Sequence, residues 1–275
     1  MQIQSKPEGA ELTSIIYRGE EKLHDGKIGW SRQCPVLFPI VGKLNHDTAN
    51  IDGKTYSMTQ HGFARDSLFE VIEKTHTIHS YQLVSDEKTK VHYPYDFCLR
   101  VTYTVEKNIL TVMYEVENTG NQNIPFGIGG HPAFQLAYPD VYIEFEKNEG
   151  GYVNCYQLKD GIIEAEYERR LLDNKLYLEE DSFNQDAIIM RELKSESVMV
   201  KIKQDDKPIL KFSFKGFPYL AFWSKNGAPF LCIEPWYSVA DKKGYMGEFR
   251  EKEGTILLPS GQTFTCSYQV TFLPT

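Results

Sequence analysis

The sequence has no CxxC pair, no HxH, no HExxH and no cysteine–histidine cluster at zinc-ligand spacing, so the common protein-built metal sites have no motif here. Phosphate-cradling loops are missing too. There is no GxxxxGK followed by Ser or Thr, and no GxGxxG opening a βαβ unit. Without a GxSxG elbow, a serine hydrolase is unsupported. No apolar run approaches the roughly 18 residues of a membrane helix. The opening "MQIQSKPEGAELTSI" lacks the basic-then-apolar pattern of a secretory signal. Positive charge is in short supply: 30 Lys and Arg against 38 Asp and Glu give a net charge of −8. That balance argues against a nucleic-acid or membrane partner, while leaving room for a locally basic site. Five dispersed cysteines (Cys34, Cys98, Cys155, Cys232, Cys266) read as reduced thiols, and the expected location is cytoplasmic.

What the chain does have is aromatic residues and alternation. Its 275 residues include 17 Tyr and 16 Phe, and such side chains favour strands. Leu99, Val101, Tyr103 and Val105 share one face; after a turn at Lys107-Asn108, Leu110, Val112, Tyr114 and Val116 share the next, predicting a hairpin. The same period of two runs through "VYIEFE", "VMVKIK", "LKFSF" and the closing "FTCSYQVTF". "FLCIE", Phe230 to Glu234, is a continuous apolar run ending in a carboxylate, as in a central strand buried on both faces. Asp-Gly turns at 25–26, 52–53 and 160–161 punctuate these runs. Helical periodicity is weak; "IIEAEYERRLLDNKLYLEED" reads as a turn or two of helix or a charged loop. With no repeat and no linker, the expectation is all-β: one domain, residues 1–275, folded as a large antiparallel β-sandwich.

Of the seven histidines, His46, His76 and His79 lie in polar contexts that read as exposed turns or edges, and His24 lies in a turn. Two stand apart. His61 is followed by glycine and then by Arg65-Asp66, and His131 sits in "GIGGHPAF" between bare glycines and a proline. The imidazole titrates near neutral pH, which suits a general acid or base. Glu234 is the third candidate, because a carboxylate at the end of a buried strand is costly unless it has a partner or a task. Its bland alternative is a buried ion pair with Arg65 or Arg32. Trp236 beside it has the flat apolar surface on which a sugar ring stacks.

Four motifs occur in order: "WSRQCPVLFPIVGKL" (30–44), "HGFARD" (61–66), "GGHPAF" (129–134) and "CIEPWYSVAD" (232–241). Together with "GAELTSIIYRGEEKL" and "EGTILLPSGQTFTCSYQVTF" they resemble the aldose 1-epimerase (galactose mutarotase-like) family, most closely its LacX-like branch, along essentially the whole chain. The resemblance implies a β-supersandwich that interconverts the α and β anomers of an aldohexose or hexose 6-phosphate without cofactor or metal. It places the general acid on His131, the general base on Glu234 and a substrate-orienting histidine on His61. Lys43 stands where the family usually has arginine. Arg65, Arg32, Trp236 and Asp241 are the further candidate substrate contacts. A further family aspartate, between the second histidine and the glutamate, has no evident counterpart.

Ring opening needs a proton delivered to the ring oxygen while another leaves the C1 hydroxyl, and a histidine and a glutamate on opposite sides of the anomeric centre supply both. A non-catalytic carbohydrate-binding protein on the same fold is the alternative, and a metal-dependent enzyme built on His, His and Glu is a third. The expected partner is a small sugar, with the chain a monomer or homodimer.

Overall fold

The computed structural model describes residues 1–274. Two large antiparallel sheets dominate it, one of nine strands and one of eight. In the nine-stranded sheet, Phe97–Glu106 and Ile109–Asn118 form the predicted hairpin, with Glu106 opposite Ile109 and Phe97 opposite Asn118. All eight of its alternating apolar residues are buried, as a period of two demands when one face is covered. The last strand, Thr263–Phe272, lies between Ile109–Asn118 and Pro208–Ser213, so the two ends of this sheet are joined through the chain's C-terminal segment.

The eight-stranded sheet runs Ile162–Arg170, Tyr152–Lys159, Ile188–Arg191, Tyr219–Trp223, Leu231–Tyr237, Ile128–Gly130 and Val36–Leu37, and Ala133–Phe134 pairs with the start of Leu231–Tyr237. It packs face to face on the first sheet. The Phe134 ring lies 6.2 Å from Phe212 and 6.3 Å from Phe272, and residues of both sheets share one apolar interior. Leu231–Tyr237 is buried on both faces, as "FLCIE" suggested. Leu231 and Ile233 point into that interior, while Cys232 and Trp236 join smaller apolar clusters on the opposite face. That second face is where the site lies.

Two hairpins close on Asp-Gly pairs whose residues both take left-handed φ, Asp52-Gly53 and Asp160-Gly161. The segment read as a turn of helix or a loop is instead strand, Ile162–Arg170 and Lys175–Tyr177. Ile162–Arg170 is an edge strand, and its Glu164, Glu166, Glu168 and Arg170 are exposed. Charge on an edge strand prevents pairing with another chain, and it also hides the alternation. Among the described residues α-helix is confined to Glu87–Lys90, and no helix is long and apolar enough to cross a membrane.

His46 and His76 are exposed as expected, but His24 and His79 are buried. His79 places Nδ1 2.6 Å from Ser5 Oγ and Nε2 3.0 Å from the Thr75 carbonyl, pinning the N-terminal strand Gln2–Ser5 to Ile78–Val84.

Candidate active site

Strand register builds the centre of the site. Gly129 pairs with Trp236, and Ala133 pairs with Cys232 on the same strand. His131, midway between them, therefore falls opposite Glu234. Their side chains meet with Nε2 and Oε2 3.1 Å apart, and the residues are only 6% and 1% exposed. The approach lacks hydrogen-bond alignment, so both Glu234 oxygens and His131 Nδ1 have no partner among the described residues. The sequence reading expects the pair on opposite sides of an anomeric centre. The structure makes them neighbours, because facing residues on paired strands cannot be a sugar's width apart.

The glycines before His131 do not line the cavity. A Cβ on Gly129 would stand 2.7 Å from Trp236 Cδ1, and one on Gly130 would stand 2.8 Å from Tyr268 Cε1 and 2.9 Å from the Tyr114 hydroxyl. Their bareness serves close packing of this strand against Trp236 and two core tyrosines.

His61 enters from a corner held by backbone bonds. Its N–H donates to the Gly42 carbonyl at 2.8 Å, and the Gly42 N–H donates back to His61 Nδ1 at 3.1 Å. An Nδ1 that accepts must be bare, so the ring is neutral and carries its hydrogen on Nε2. Gly42 has φ of 74°, and a Cβ there would lie 2.6 Å from the Ala240 nitrogen, so only glycine fits. The His61 and His131 rings stand 5.6 Å apart, edge to face.

Aromatic walls complete the pair's surroundings. Trp30 lies 4.6 Å from the His131 ring and Trp223 lies 5.8 Å from it, both half-buried. Buried His24 places Nε2 2.9 Å from the Trp30 carbonyl and stacks on Phe230, so this histidine positions the wall. Trp236 lines the cavity but is only 3% exposed, with Nε1 unpartnered. Broad ring surface facing the cavity comes from Trp30 and Trp223 instead.

Burial dominates the electrostatics. It pushes His131 down to about 3, with Arg65 and Arg32 adding to the effect. Burial likewise drives Glu234 well above the usual carboxylate range, and Asp186 pushes it further. His61 falls well below its ordinary value through burial, then His131, Arg65 and Arg32. Burial of both groups, the two arginines near His131 and Asp186 near Glu234 all disfavour an ion pair between them. Both groups are pushed toward their neutral forms.

A cavity of about 360 Å³ opens in front of this pair, lined among others by His61, Arg65, Asp186, Lys225 and Trp236. Arg65 donates from Nη2 to the Gln60 carbonyl at 2.6 Å, while its buried Nε is unpartnered. Three other candidates lie outside the lining. Arg32 is bound to Asp66 at 2.7 Å. Lys43 reaches the Asp160 carbonyl at 3.4 Å and so holds the Asp160-Gly161 turn. Asp241 accepts from the Asn45 backbone and side chain at 2.8 and 3.4 Å, anchoring the loop behind the site. Each is occupied by local structure, which keeps it from the cavity. Asp186 and Lys225 were missed in the sequence. Asp186 lies at a positive φ of 74° two residues before the strand Ile188–Arg191, a weak signal, and Lys225 lies in an ordinary polar loop.

Among the described residues, the set able to hold a metal ion is His131, Cys232 and Glu234, whose ligand atoms lie within 4.8 Å of one another. A metal there would occupy both His131 and Glu234.

Comparison with known proteins fits this arrangement. The sequence model described as aldose 1-epimerase matches residues 1–255. The chain belongs to the aldose 1-epimerase family. It is 30% identical to the chromosomal LacX protein of Lactococcus lactis subsp. lactis over 289 residues, covering 98% of this chain and 96% of that one. Among solved structures, a galactose mutarotase related enzyme from Lactobacillus acidophilus is 30% identical with a TM-score of 0.92, covering 99% of this chain and 94% of the other. A galactose mutarotase-like protein from Lactobacillus casei is 26% identical with a TM-score of 0.91, covering 98% and 96%. The antiparallel β-supersandwich expected from the sequence is therefore the family's fold, and an isomerase-type enzyme acting on a sugar is the family's role.

Proposed function

We propose that this member of the aldose 1-epimerase family is a cofactor-independent mutarotase that interconverts the α and β anomers of an aldohexose, free or 6-phosphorylated. The observation that carries the reading is the buried His131–Glu234 pair, 3.1 Å apart, unsatisfied by the protein and open to a cavity of about 360 Å³. A pair that shares one proton has one site to give it and one site to take another. The ring oxygen and the C1 hydroxyl are both attached to C1, so neighbouring acid and base groups suit them.

The protonated member delivers its proton to the ring oxygen as the bond from C1 to that oxygen breaks. The other member removes the hydroxyl proton as the C1 aldehyde forms, and the pair's proton count is unchanged. Rotation about C1–C2 and the reverse transfers close the ring as either anomer. The resting electrostatics favour a proton on Glu234. Transfer across 3.1 Å to His131 gives the imidazolium and carboxylate of the family assignment at the same proton count. His61 offers its Nε2–H to a sugar oxygen, and Arg65 and Asp186 offer further polar contacts. Each proton transfer contributes roughly 10²–10⁴-fold.

The test is polarimetry and NMR saturation transfer on glucose, galactose and their 6-phosphates. Wild-type protein accelerates at least one of them, and His131→Ala abolishes the acceleration while the melting curve stays cooperative. Sugar binding with no acceleration would instead identify a carbohydrate-binding protein and overturn the reading.

A further inference from the structure

Three side chains of metal-ligating type meet on one face of the eight-stranded sheet. Cys232 and Glu234 are two residues apart on Leu231–Tyr237, so they leave the same side of the strand. Ile233 between them joins the apolar interior on the other side. His131 reaches the same face from the neighbouring segment, because Ala133 pairs with Cys232 and Gly129 with Trp236. A nitrogen, a sulfur and an oxygen from these residues lie within 4.8 Å of one another, and all three residues are buried.

The protein leaves these donors poorly served. Neither Glu234 oxygen has a hydrogen-bond partner among the described residues, which is costly for a buried carboxyl group. Zinc bonds of about 2.3 Å to sulfur and about 2.0–2.2 Å to nitrogen and oxygen set tetrahedral ligand atoms roughly 3.3–3.6 Å apart. His131 Nε2 and Glu234 Oε2 are already 3.1 Å apart, so side-chain rotation closes the site without moving the strands. A thiolate and an imidazole select zinc over magnesium or calcium, which take oxygen ligands. His131 and Glu234 line the cavity and Cys232 does not, so the fourth position of a tetrahedral ion faces the cavity.

We infer that His131, Cys232 and Glu234 form a zinc-binding site through which Zn²⁺ switches the enzyme off. The inhibition rests on the mutarotase reading, whereas the ligation does not. Binding sends the Cys232 thiol proton to solvent, together with the carboxyl proton of Glu234 where it is present, and zinc stays divalent throughout. The ligating nitrogen and oxygen then hold the metal in place of a proton, so neither serves the ring oxygen or the C1 hydroxyl. Cys232 has no part in the proposed proton transfers, and its variants therefore separate the metal from the chemistry.

The probe is Co²⁺, followed by Zn²⁺, added to protein first freed of metal with a chelator. Cobalt held by a thiolate is expected to give a near-ultraviolet charge-transfer band that saturates at one equivalent and is lost as Zn²⁺ displaces it. Wild-type anomerisation is expected to fall at least tenfold as zinc saturates, and to return with chelator. Cys232→Ala and Cys232→Ser are expected to lack the band and to keep the wild-type rate in metal-free buffer. Each is expected to need at least about tenfold more Zn²⁺ for half-inhibition, since even residues that merely orient a ligand are worth that much. Serine keeps the volume of cysteine, and a cooperative melt in either variant makes the comparison valid. No thiolate band, or variants that take up Zn²⁺ as tightly as wild type, overturn the site. Full occupancy with an unchanged rate overturns the switch. A protein that shows the band, loses it in the variants and epimerises no sugar supports the site and overturns the mutarotase reading alone.

Discussion

Replacing Glu234 by glutamine is expected to stabilise the protein while nearly silencing it. Burial holds the Glu234 carboxyl well above its usual range, and Asp186 adds to the effect. In the unfolded chain a glutamate titrates at about 4.3. Between that pH and its folded value, the unfolded chain is ionised while the folded site still holds the proton. The contribution of Glu234 to folding stability is thus complete below about pH 4 and falls as pH rises, by about 1.4 kcal/mol for each pH unit across the window. Glutamine has the same shape and nothing to ionise, so the variant escapes this loss. For a chain of this size each kcal/mol moves Tm by about 2–4 °C. Glu234→Gln is therefore expected to melt several degrees above wild type at pH 8 and together with it near pH 4, while anomerisation slows by about 10²–10⁴-fold. Calorimetry at the two pH values and polarimetry at one of them check this. A variant that melts at or below wild type at pH 8 would show that Glu234 rests as a carboxylate paired with imidazolium, and the electrostatic reasoning would be wrong. A variant within tenfold of the wild-type rate would remove Glu234 from the mechanism.

The same one-proton pair shapes the pH profile of kcat/KM. With His131 pushed down to about 3 and Glu234 pushed up, activity is expected to stay level through the ordinary imidazole range and to fall on the alkaline side as Glu234 ionises; a loss centred near pH 6.5 would refute it. Gly130→Ala forces a methyl group against Tyr268 and the Tyr114 hydroxyl, both buried in the core. It is expected to cost about 1–3 kcal/mol, read as a fall in Tm, with unchanged KM in the folded fraction. An unchanged Tm with a raised KM would mean that the glycine is bare for the sugar.

What was legible in the sequence was whatever depends on near neighbours or on one-sided burial. Alternation in Phe97–Glu106 and Ile109–Asn118 revealed the sheet because one face is wholly covered. Ile162–Arg170 concealed itself because an edge strand with eight of its nine residues at least partly exposed has no covered face to mark. His131 and Glu234 stood out through their odd surroundings, an imidazole beside bare glycines and a carboxylate closing an apolar run. The purpose of those glycines was not legible, since the side chains that need the room, Trp236, Tyr114 and Tyr268, are distant in sequence. Asp241, Lys43 and Arg32 share motifs with residues near the cavity, yet each is tied to a local partner that only the fold supplies. Asp186 and Lys225 reach the cavity from segments with no motif of their own.

The proposed acid and base face each other across paired strands, and the residues that would meet the rest of the sugar hang from turns around them. Spacing between His131 and Glu234 is thus set by main-chain pairing on either side of them. Turns and loops holding Gln60, Asp186 and Lys225 can change length or composition without disturbing it. On the proposed mechanism, chemistry and selectivity are separately heritable on such a frame: descendants would exchange one sugar for another by editing the rim, while the proton-handling centre passed on untouched.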